Sequence, residues 1–283
     1  MPTLNKYKGL VYLWQYVPSL PGSIIFTVLF TVITVAHGWK MFKTRLWFCM
    51  PFFIGGICEV LGYIFRAAAW NATESLIFYI MQAVFLLIPP VFFAATLYMV
   101  YSRLVRALRG EEFSLISPRW TTIIFVVGDL ATLNVQSSGA GMLADDDDKK
   151  VALGNRIVVA GLILQVLLFI GFMICCLVFH LRYKAHLTES YTVSDVPWKS
   201  CLHMLYWTSM MVLVRNVFRV IEYIMDKEGY LQQYEWPTFV FDSVLMFLVM
   251  VAFYIWYPSN LHPKSRESMV ELMSNEGGNS PER

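Results

Sequence analysis

Charged side chains lie inside stretches of this chain that are otherwise apolar and long enough to cross a membrane. They are four carboxylates and three arginines: Glu59, Arg66, Asp129, Arg215, Arg219, Glu222 and Asp242. A charge at membrane depth costs about 2.5 kcal/mol or more unless it is paired or faces water, so it usually marks a functional site. The pattern therefore predicts a polar, charged cavity inside a helical membrane protein.

The spacing of these residues places several of them on common helix faces. Arg215, Arg219 and Glu222 are separated by four and three residues, so they share one face, and Arg219 is predicted to pair with Glu222. Other helices offer polar groups at middle or outer depth: Glu59 and Arg66 with Tyr63 between them, Gln82, Asp129 with Gln136, Gln165, and Asp242. We therefore expect six helices to contribute to one polar zone in the outer half of the bundle.

Arg215 lies near the middle of its span and needs a carboxylate from another helix, because a guanidinium has five donors and stays charged. Asp129 lies at similar depth and is the predicted partner, with Glu59 and Asp242 as the alternatives.

Two interpretations of the charges compete. In one, they are paired across helices and only hold the bundle together; in the other, they line a wet cavity that takes a polar head group. Interhelical hydrogen bonds in membranes contribute only about 0.6 kcal/mol each, which favours the ligand cavity. The excess of one carboxylate suits a cationic head group, with Glu59, Asp129, Glu222 and Asp242 as its acceptors.

The composition requires a membrane protein. Of the 283 residues, 57% are hydrophobic and 15% are charged, against roughly 45–50% and 25% in soluble domains. Seven stretches approach or exceed the roughly 20 residues that cross the hydrocarbon core: residues 22–39, 47–66, 76–101, 120–138, 157–180, 203–225 and 237–257. Because backbone groups in lipid must be satisfied internally, the predicted fold is all-α, with seven transmembrane helices.

The lysines and arginines concentrate in the loops after the first, third and fifth spans and in the tail, which predicts an outer N-terminus and a cytoplasmic C-terminus. The glycosylation sequon that begins at Asn71 then lies outside. We expect an extracellular segment at 1–20, a seven-helix domain at 21–258 and a disordered cytoplasmic tail at 259–283. The run from Asp145 to Lys149 matches an enterokinase cleavage sequence and is interpreted as a solvated loop without assigned function.

Two further features predict local geometry. Pro89 and Pro90 lie within the third span, where they should kink the helix and free carbonyl groups that line a cavity or serve as a hinge. Glycines of the second and fifth spans predict close helix contacts: Gly55, Gly56, Gly62 and Gly161.

Catalysis and resident cofactors have little support. The histidines lie away from the outer acidic residues, and the last span has no lysine for a Schiff base. His37 with His203 is the only pair at a depth suited to clamp a haem, so haem remains an alternative to no cofactor. The five cysteines lie in or beside apolar spans and are interpreted as packing residues. We expect a non-enzyme that does not bind nucleic acid.

Several motifs in order along the chain resemble the fungal RTA-like family, also called lipid-translocating exporters. They are Glu59-x-x-Gly62-Tyr63-x-x-Arg66; Gln82, Pro89-Pro90 and Tyr98; Asp129, Gln136, Ser138, Gly139 and Gly141; Gly161 and Gln165; and Arg215-x-x-x-Arg219-x-x-Glu222 followed by Gly229, Glu235, Asp242 and Pro258. The resemblance runs from about Tyr16 to Pro258. It implies a seven-helix protein of the fungal plasma membrane, tied to export of sphingoid long-chain bases, to resistance against aminosterols and other toxicants, or to porphyrin and haem traffic.

Three functional hypotheses follow. The first is a transporter or flippase for amphipathic lipids, such as a sphingoid base or a sterol-like toxicant. The second is a seven-helix receptor or sensor for a lipid or sterol, which the topology also suits. The third is a haem- or porphyrin-binding membrane protein. Membrane lipids and an amphipathic small molecule are the expected partners.

Overall fold

The computed structural model describes residues 14, 16–142, 147–190, 198–225 and 233–258, and in these ranges the chain is helical without strands. Seven long helices are found there: α1 (Leu20–Thr44), α2 (Met50–Ala69), α3 (Leu76–Ala107), α4 (Pro118–Met142), α5 (Asp148–Ser190), α6 (Trp198–Ile224) and α7 (Trp236–Ile255). Each coincides with a predicted span, and most are longer than predicted because the helices continue into their polar ends.

Six of these helices are long and apolar enough to cross a membrane. The exception is α6, whose apolar sequence is interrupted by Arg215, Arg219 and Glu222. Large apolar side chains such as Ile25 and Val32 are exposed on the outer faces of the helices, as expected for contact with lipid. The chain is therefore a multi-pass membrane protein, while its predicted sidedness still rests on the lysine and arginine distribution.

The helices form a closed ring in which α3 also reaches α6. Each helix packs against its neighbours in sequence, α7 returns to contact α1, and α3 also packs against α6. The second half of α3 is the centre of the core, where Phe93, Leu97, Tyr98 and Tyr101 are fully buried. Residues 259–283, most of the predicted N-terminal segment and part of the Asp145–Lys149 run lie outside the described residues.

Two helices depart from regular α geometry at one level of the bundle. The regular hydrogen-bond pattern of α3 is interrupted at Ile88, immediately before Pro89 and Pro90, where the sequence predicts a kink. Gly62 of α2 lies against this interruption, because a Cβ placed on it would meet the Leu86 side chain at 2.5 Å. The absence of a side chain at Gly62 thus lets α2 approach α3 closely.

The second irregular helix is α7, which adopts π geometry from Phe239 to Val244. A π segment inserts an extra residue into a helical turn, and such segments are frequent at functional sites. Asp242 and Ser243 lie within it and are both buried. The sequence around Phe239–Val244 has no pattern that predicts this π geometry.

Candidate functional site

Asp242 on α7 binds both arginines of α6. Its Oδ1 accepts a hydrogen bond from Arg215 Nε at 2.6 Å, and its Oδ2 accepts one from Arg219 Nη2. Arg219 also donates from Nη1 to Glu222 Oε2 at 3.1 Å, which confirms the predicted pair within α6. Arg215 is 1% exposed and Asp242 is 3% exposed. These are buried ion pairs, so removing either partner strands a charge.

Arg215 also binds the interrupted helix α3. Its Nη2 donates to the carbonyl oxygen of Leu86 at 3.0 Å. In a continuous α-helix this carbonyl would accept from the N–H of residue 90, but Pro90 has none. The arginine therefore supplies the donor that the proline removes, and the carbonyl that the proline leaves free binds a side chain of another helix.

The prediction that Arg215 pairs with Asp129 is wrong. Asp129 is 1% exposed on α4, where its Oδ2 accepts a hydrogen bond from the Tyr98 hydroxyl at 2.7 Å. Its Oδ1 has no hydrogen-bond partner among the described residues. The helix α4 packs mainly against α3 and α5, whereas α6 packs against α3, α5 and α7. Similar depth does not bring two residues together when their helices are not neighbours.

Glu59 on α2 faces the same group of charges. It is 3% exposed and close enough to Asp242, Arg215 and Arg219 to interact electrostatically with all three. The hydrogen bonds of the described cluster join the arginines to Asp242 and Glu222, and none of them involves the Glu59 carboxyl group. We call the following five residues the charge cluster: Glu59, Arg215, Arg219, Glu222 and Asp242.

Tyr63 ties α2 to α7 beside the charge cluster. It lies one helical turn from Glu59, and its hydroxyl group is hydrogen-bonded to Ser243 in the π segment. The ring of Tyr63 stacks on Phe30 and Phe26 of α1, with centroid distances of 5.4 and 5.5 Å. The cluster thus has a rigid aromatic wall on the side of α1.

Arg66 belongs to a second ion pair. Its Nη2 donates to Glu235 Oε1 at 2.6 Å and to the Tyr16 hydroxyl at 3.1 Å. Both oxygens of Glu235 accept the backbone N–H of Ser19, each at 3.0 Å. This pair joins the segment before α1 to the ends of α2 and α7. Glu235 was not predicted as a site residue because it precedes the last apolar span.

The three predicted glutamines lie on α3, α4 and α5. Gln136 Nε2 donates to Gln165 Oε1 at 2.8 Å, and both side chains are buried between α4 and α5. Gln82 is half-buried, and its Oε1 lacks a partner among the described residues. No hydrogen bond of the described residues connects Gln136 or Gln165 to the charge cluster. The single polar zone expected from the sequence is therefore divided.

His37 and His203, the two histidines suggested as haem ligands, lie in different surroundings. The Nε2 of His37 lies 2.9 Å from the carbonyl oxygen of Met250, and its ring packs on Phe52 and Phe253. His203 is exposed on α6. Within the described ranges, no group of three His, Cys, Asp or Glu residues is arranged to hold a metal ion. Asn71 is exposed in the turn after α2, where a glycan would have room.

The interior has more carboxyl groups than arginines. With Glu235 included, five carboxyl groups face three arginines in the described bundle, and the ion pairs use three of the five. Glu59 and Asp129 are the two without an ion pair. The excess of carboxyl groups over arginines is thus two, against the one inferred from the sequence. The two carboxyl groups in excess are those of Glu59 and Asp129.

An apolar groove of about 470 Å³ lies between α1 and α2. It is lined by residues that include Thr34, Val35, Phe53, Ile57 and Val60. Ile57 and Val60 flank Glu59 in sequence, so the groove lies at the same level of the bundle as the charge cluster but on another face of α2.

Seven long helices with a charged interior define a polytopic membrane protein. Within that class, the chain belongs to the RTA1-like family, because the family model described as "RTA1 like protein" matches residues 52–265. No solved structure matches the chain significantly.

The chain is similar to three proteins from Saccharomyces cerevisiae. Protoporphyrin uptake protein 1 is 32% identical over 276 residues, which cover 85% of this chain and 90% of the relative. Protein RTA1 is 31% identical over 271 residues, covering 87% and 84%. Sphingoid long-chain base transporter RSB1 is 27% identical over 278 residues, covering 86% and 72%. Two of the three are thus named as an uptake protein or a transporter, and none as an enzyme.

Proposed function

We propose that this protein moves an amphipathic molecule with a cationic head group across the membrane, with Glu59 and Asp129 as the head-group acceptors. The observation that carries the proposal is that these two buried carboxyl groups form no ion pair among the described residues. Glu222 and Asp242, which the sequence also suggested as acceptors, are engaged by Arg219 and Arg215 and act first as ties between helices.

A cationic head group complements these two positions chemically. Each position presents oxygen acceptors in a site shielded from water, where an unpaired carboxylate is costly. A primary ammonium has three donors and no acceptor, so it satisfies such a site, whereas a second anion does not. The apolar groove between α1 and α2 offers a surface for a hydrocarbon tail at the level of Glu59.

Two kinds of support point to the same substrate class. The excess of carboxyl groups favours a cation over an anion, and one relative is named a sphingoid long-chain base transporter. A long-chain base joins an amine to a hydrocarbon chain, which fits both the acidic positions and the groove. We place the protein in the fungal plasma membrane on the strength of the family resemblance.

The test is transbilayer movement of a fluorescent long-chain base in liposomes that contain the purified protein. We expect movement of the amine and little movement of its N-acylated analogue, which has the same tail without the charge. Glu59→Gln should slow the movement, and Glu112→Gln, which changes an exposed glutamate, should not. Equal movement of both lipids, or an unaffected Glu59→Gln variant, would contradict the site. Movement by the protein alone would also exclude a receptor as its sole activity.

Porphyrin uptake is a second candidate, favoured by the 32% identity to a relative named for that activity. A porphyrin carries carboxylates and would need cations, yet all three arginines of the described interior are already paired. Absorption spectra of the purified protein mixed with protoporphyrin or haem distinguish the two. The added porphyrin gives the Soret band. A shift of this band in the presence of wild-type protein, which added long-chain base does not reverse, would favour this candidate over the first.

A further inference from the structure

Charge balance within the charge cluster sets Glu59 apart. Asp242 bridges Arg215 and Arg219, and Glu222 holds the second arginine from the same helix. Two cations are therefore matched by two carboxylates through direct contacts. Glu59 would be a third carboxylate beside a site that is already neutral.

The groups that face Glu59 offer a further negative charge little net stabilisation, because the effect of the two arginines is opposed by Asp242 and by burial. From α6 and α7 it faces the two arginines and Asp242, and the arginines are held by other carboxylates. On its own helix the neighbouring ionisable groups are Cys58 and Tyr63, and the Tyr63 hydroxyl is hydrogen-bonded to Ser243. An ionised Glu59 would thus be buried, without a hydrogen bond from the cluster, and next to the negative charge of Asp242.

Protonation of the Glu59 carboxyl group removes this unfavourable buried charge. An unpaired buried carboxylate costs several kcal/mol, and the usual response of a protein is to neutralise the group. The neutral form of Glu59 carries no charge that must be compensated. It also keeps the proton at a position that a cation could take instead.

We propose that Glu59 is a proton-exchange site: it holds a proton while the arginines are bound to Asp242, and it releases that proton when a cationic head group binds. This inference rests on the proposed transport of a cationic amphiphile. The O–H bond of the Glu59 carboxyl group breaks, the proton passes to water, and the carboxylate accepts hydrogen bonds from the ammonium group. One positive charge replaces another, so the net charge of the cluster is unchanged.

The exchange would couple movement of the amphiphile to a proton gradient without ATP. Because one cation enters as one proton leaves, each can drive the other across the membrane in the opposite direction. Asp129 is less suited to this role, since one of its carboxyl oxygens already accepts a hydrogen bond from the Tyr98 hydroxyl.

The protonation of Glu59 is measured by infrared spectroscopy of the purified protein near neutral pH. A protonated carboxyl group gives a carbonyl-stretch band that a carboxylate lacks. We expect such a band in the wild type, part of which disappears in Glu59→Gln. Asp129→Asn identifies the contribution of the other unpaired carboxyl group, and Glu112→Gln controls for surface changes. If Glu59→Gln leaves the band unchanged, the proposal is overturned.

The exchange itself is measured by adding dodecylamine in weak buffer with a pH-sensitive dye. The amine is fully protonated near neutral pH, so a released proton comes from the protein. We expect loss of the Glu59 band and release of about one proton per wild-type protein, and neither change in Glu59→Gln. Binding of the amine to wild-type protein without proton release overturns the exchange alone. Absence of binding defeats the proposed transport and the exchange together.

Discussion

The contact between Arg215 and the Leu86 carbonyl predicts a specific coupling between an arginine and a proline on different helices. Arg215→Met removes the guanidinium while keeping much of the side-chain volume. It leaves the Leu86 carbonyl without its donor and removes one of the two cations that hold Asp242. Losing one partner of a buried pair costs about 3–5 kcal/mol, and Arg219 remains to hold Asp242, so we expect a loss near the lower end of that range.

Pro90→Ala should recover a defined part of this loss. Alanine at position 90 has a backbone N–H, which would donate a hydrogen bond to the Leu86 carbonyl in a continuous helix. Ile88 already has helical backbone angles, φ −72° and ψ −43°, so the bond can form with little rearrangement. A hydrogen bond from a charged donor is worth about 1.5–3 kcal/mol in general and less between membrane helices, which gives a coupling of about 1–2 kcal/mol.

Pro89→Ala is the matched control, because the N–H at position 89 lies opposite the carbonyl of Phe85 and not that of Leu86. Stability is measured by denaturant unfolding in mixed micelles for the single and double variants. Arg215→Met should cost about 1–2 kcal/mol less in the Pro90→Ala background than in the wild type, and should cost the same in the Pro89→Ala background. Equal coupling to both prolines, or to neither, would refute the assignment of Arg215 as the donor for Leu86.

Three further outcomes are expected. Gly139→Ala should destabilise the protein by about 1–3 kcal/mol in thermal or denaturant unfolding, because its Cβ would lie 2.8 Å from a backbone oxygen of α5. Gly141→Ala is the control, because a Cβ there meets nothing within 4 Å, and it should be neutral or stabilising. Equal effects of the two substitutions would contradict the packing of α4 on α5. Tyr98→Phe removes the hydrogen bond to Asp129 and should cost about 1–3 kcal/mol, whereas an unchanged unfolding curve would mean that Asp129 finds another donor. Expression in eukaryotic cells should give a glycosidase-sensitive product that Asn71→Gln abolishes, and a glycan confined to other sites would argue against the predicted sidedness.

The helices could be predicted from the sequence because their signal is local. Apolar stretches of sufficient length required helices in lipid, and proline in the third span required an interruption. The Arg219–Glu222 pair was predictable for the same reason, since two residues three apart on one helix must be neighbours. The helix ends were less well placed because α5 and α3 continue well beyond their apolar residues.

Contacts between helices were harder to predict, because depth along a span says nothing about which helices are adjacent. Asp129 and Asp242 both seemed suitable for Arg215, and only the packing of α6 on α7 decides between them. Glu235 lies just before the last apolar span and therefore has no hydropathy signal of a site residue, although Arg66 at the end of a helix required a partner. The π segment that places Asp242 and Ser243 in the interior has no recognised sequence signal.

The polar sequence of α6 has a consequence for how the protein is made. A charged side chain at the centre of a helix opposes insertion into the bilayer by about 2.5–3.5 kcal/mol, and α6 carries three such residues in its second half. The carboxylate that binds both arginines, Asp242, belongs to α7, which leaves the ribosome later. The newly made α6 therefore cannot partition stably into lipid alone. We expect it to stay at the translocon or against α3 and α5 until Asp242 has been synthesised, so that the last two helices enter the membrane as a pair.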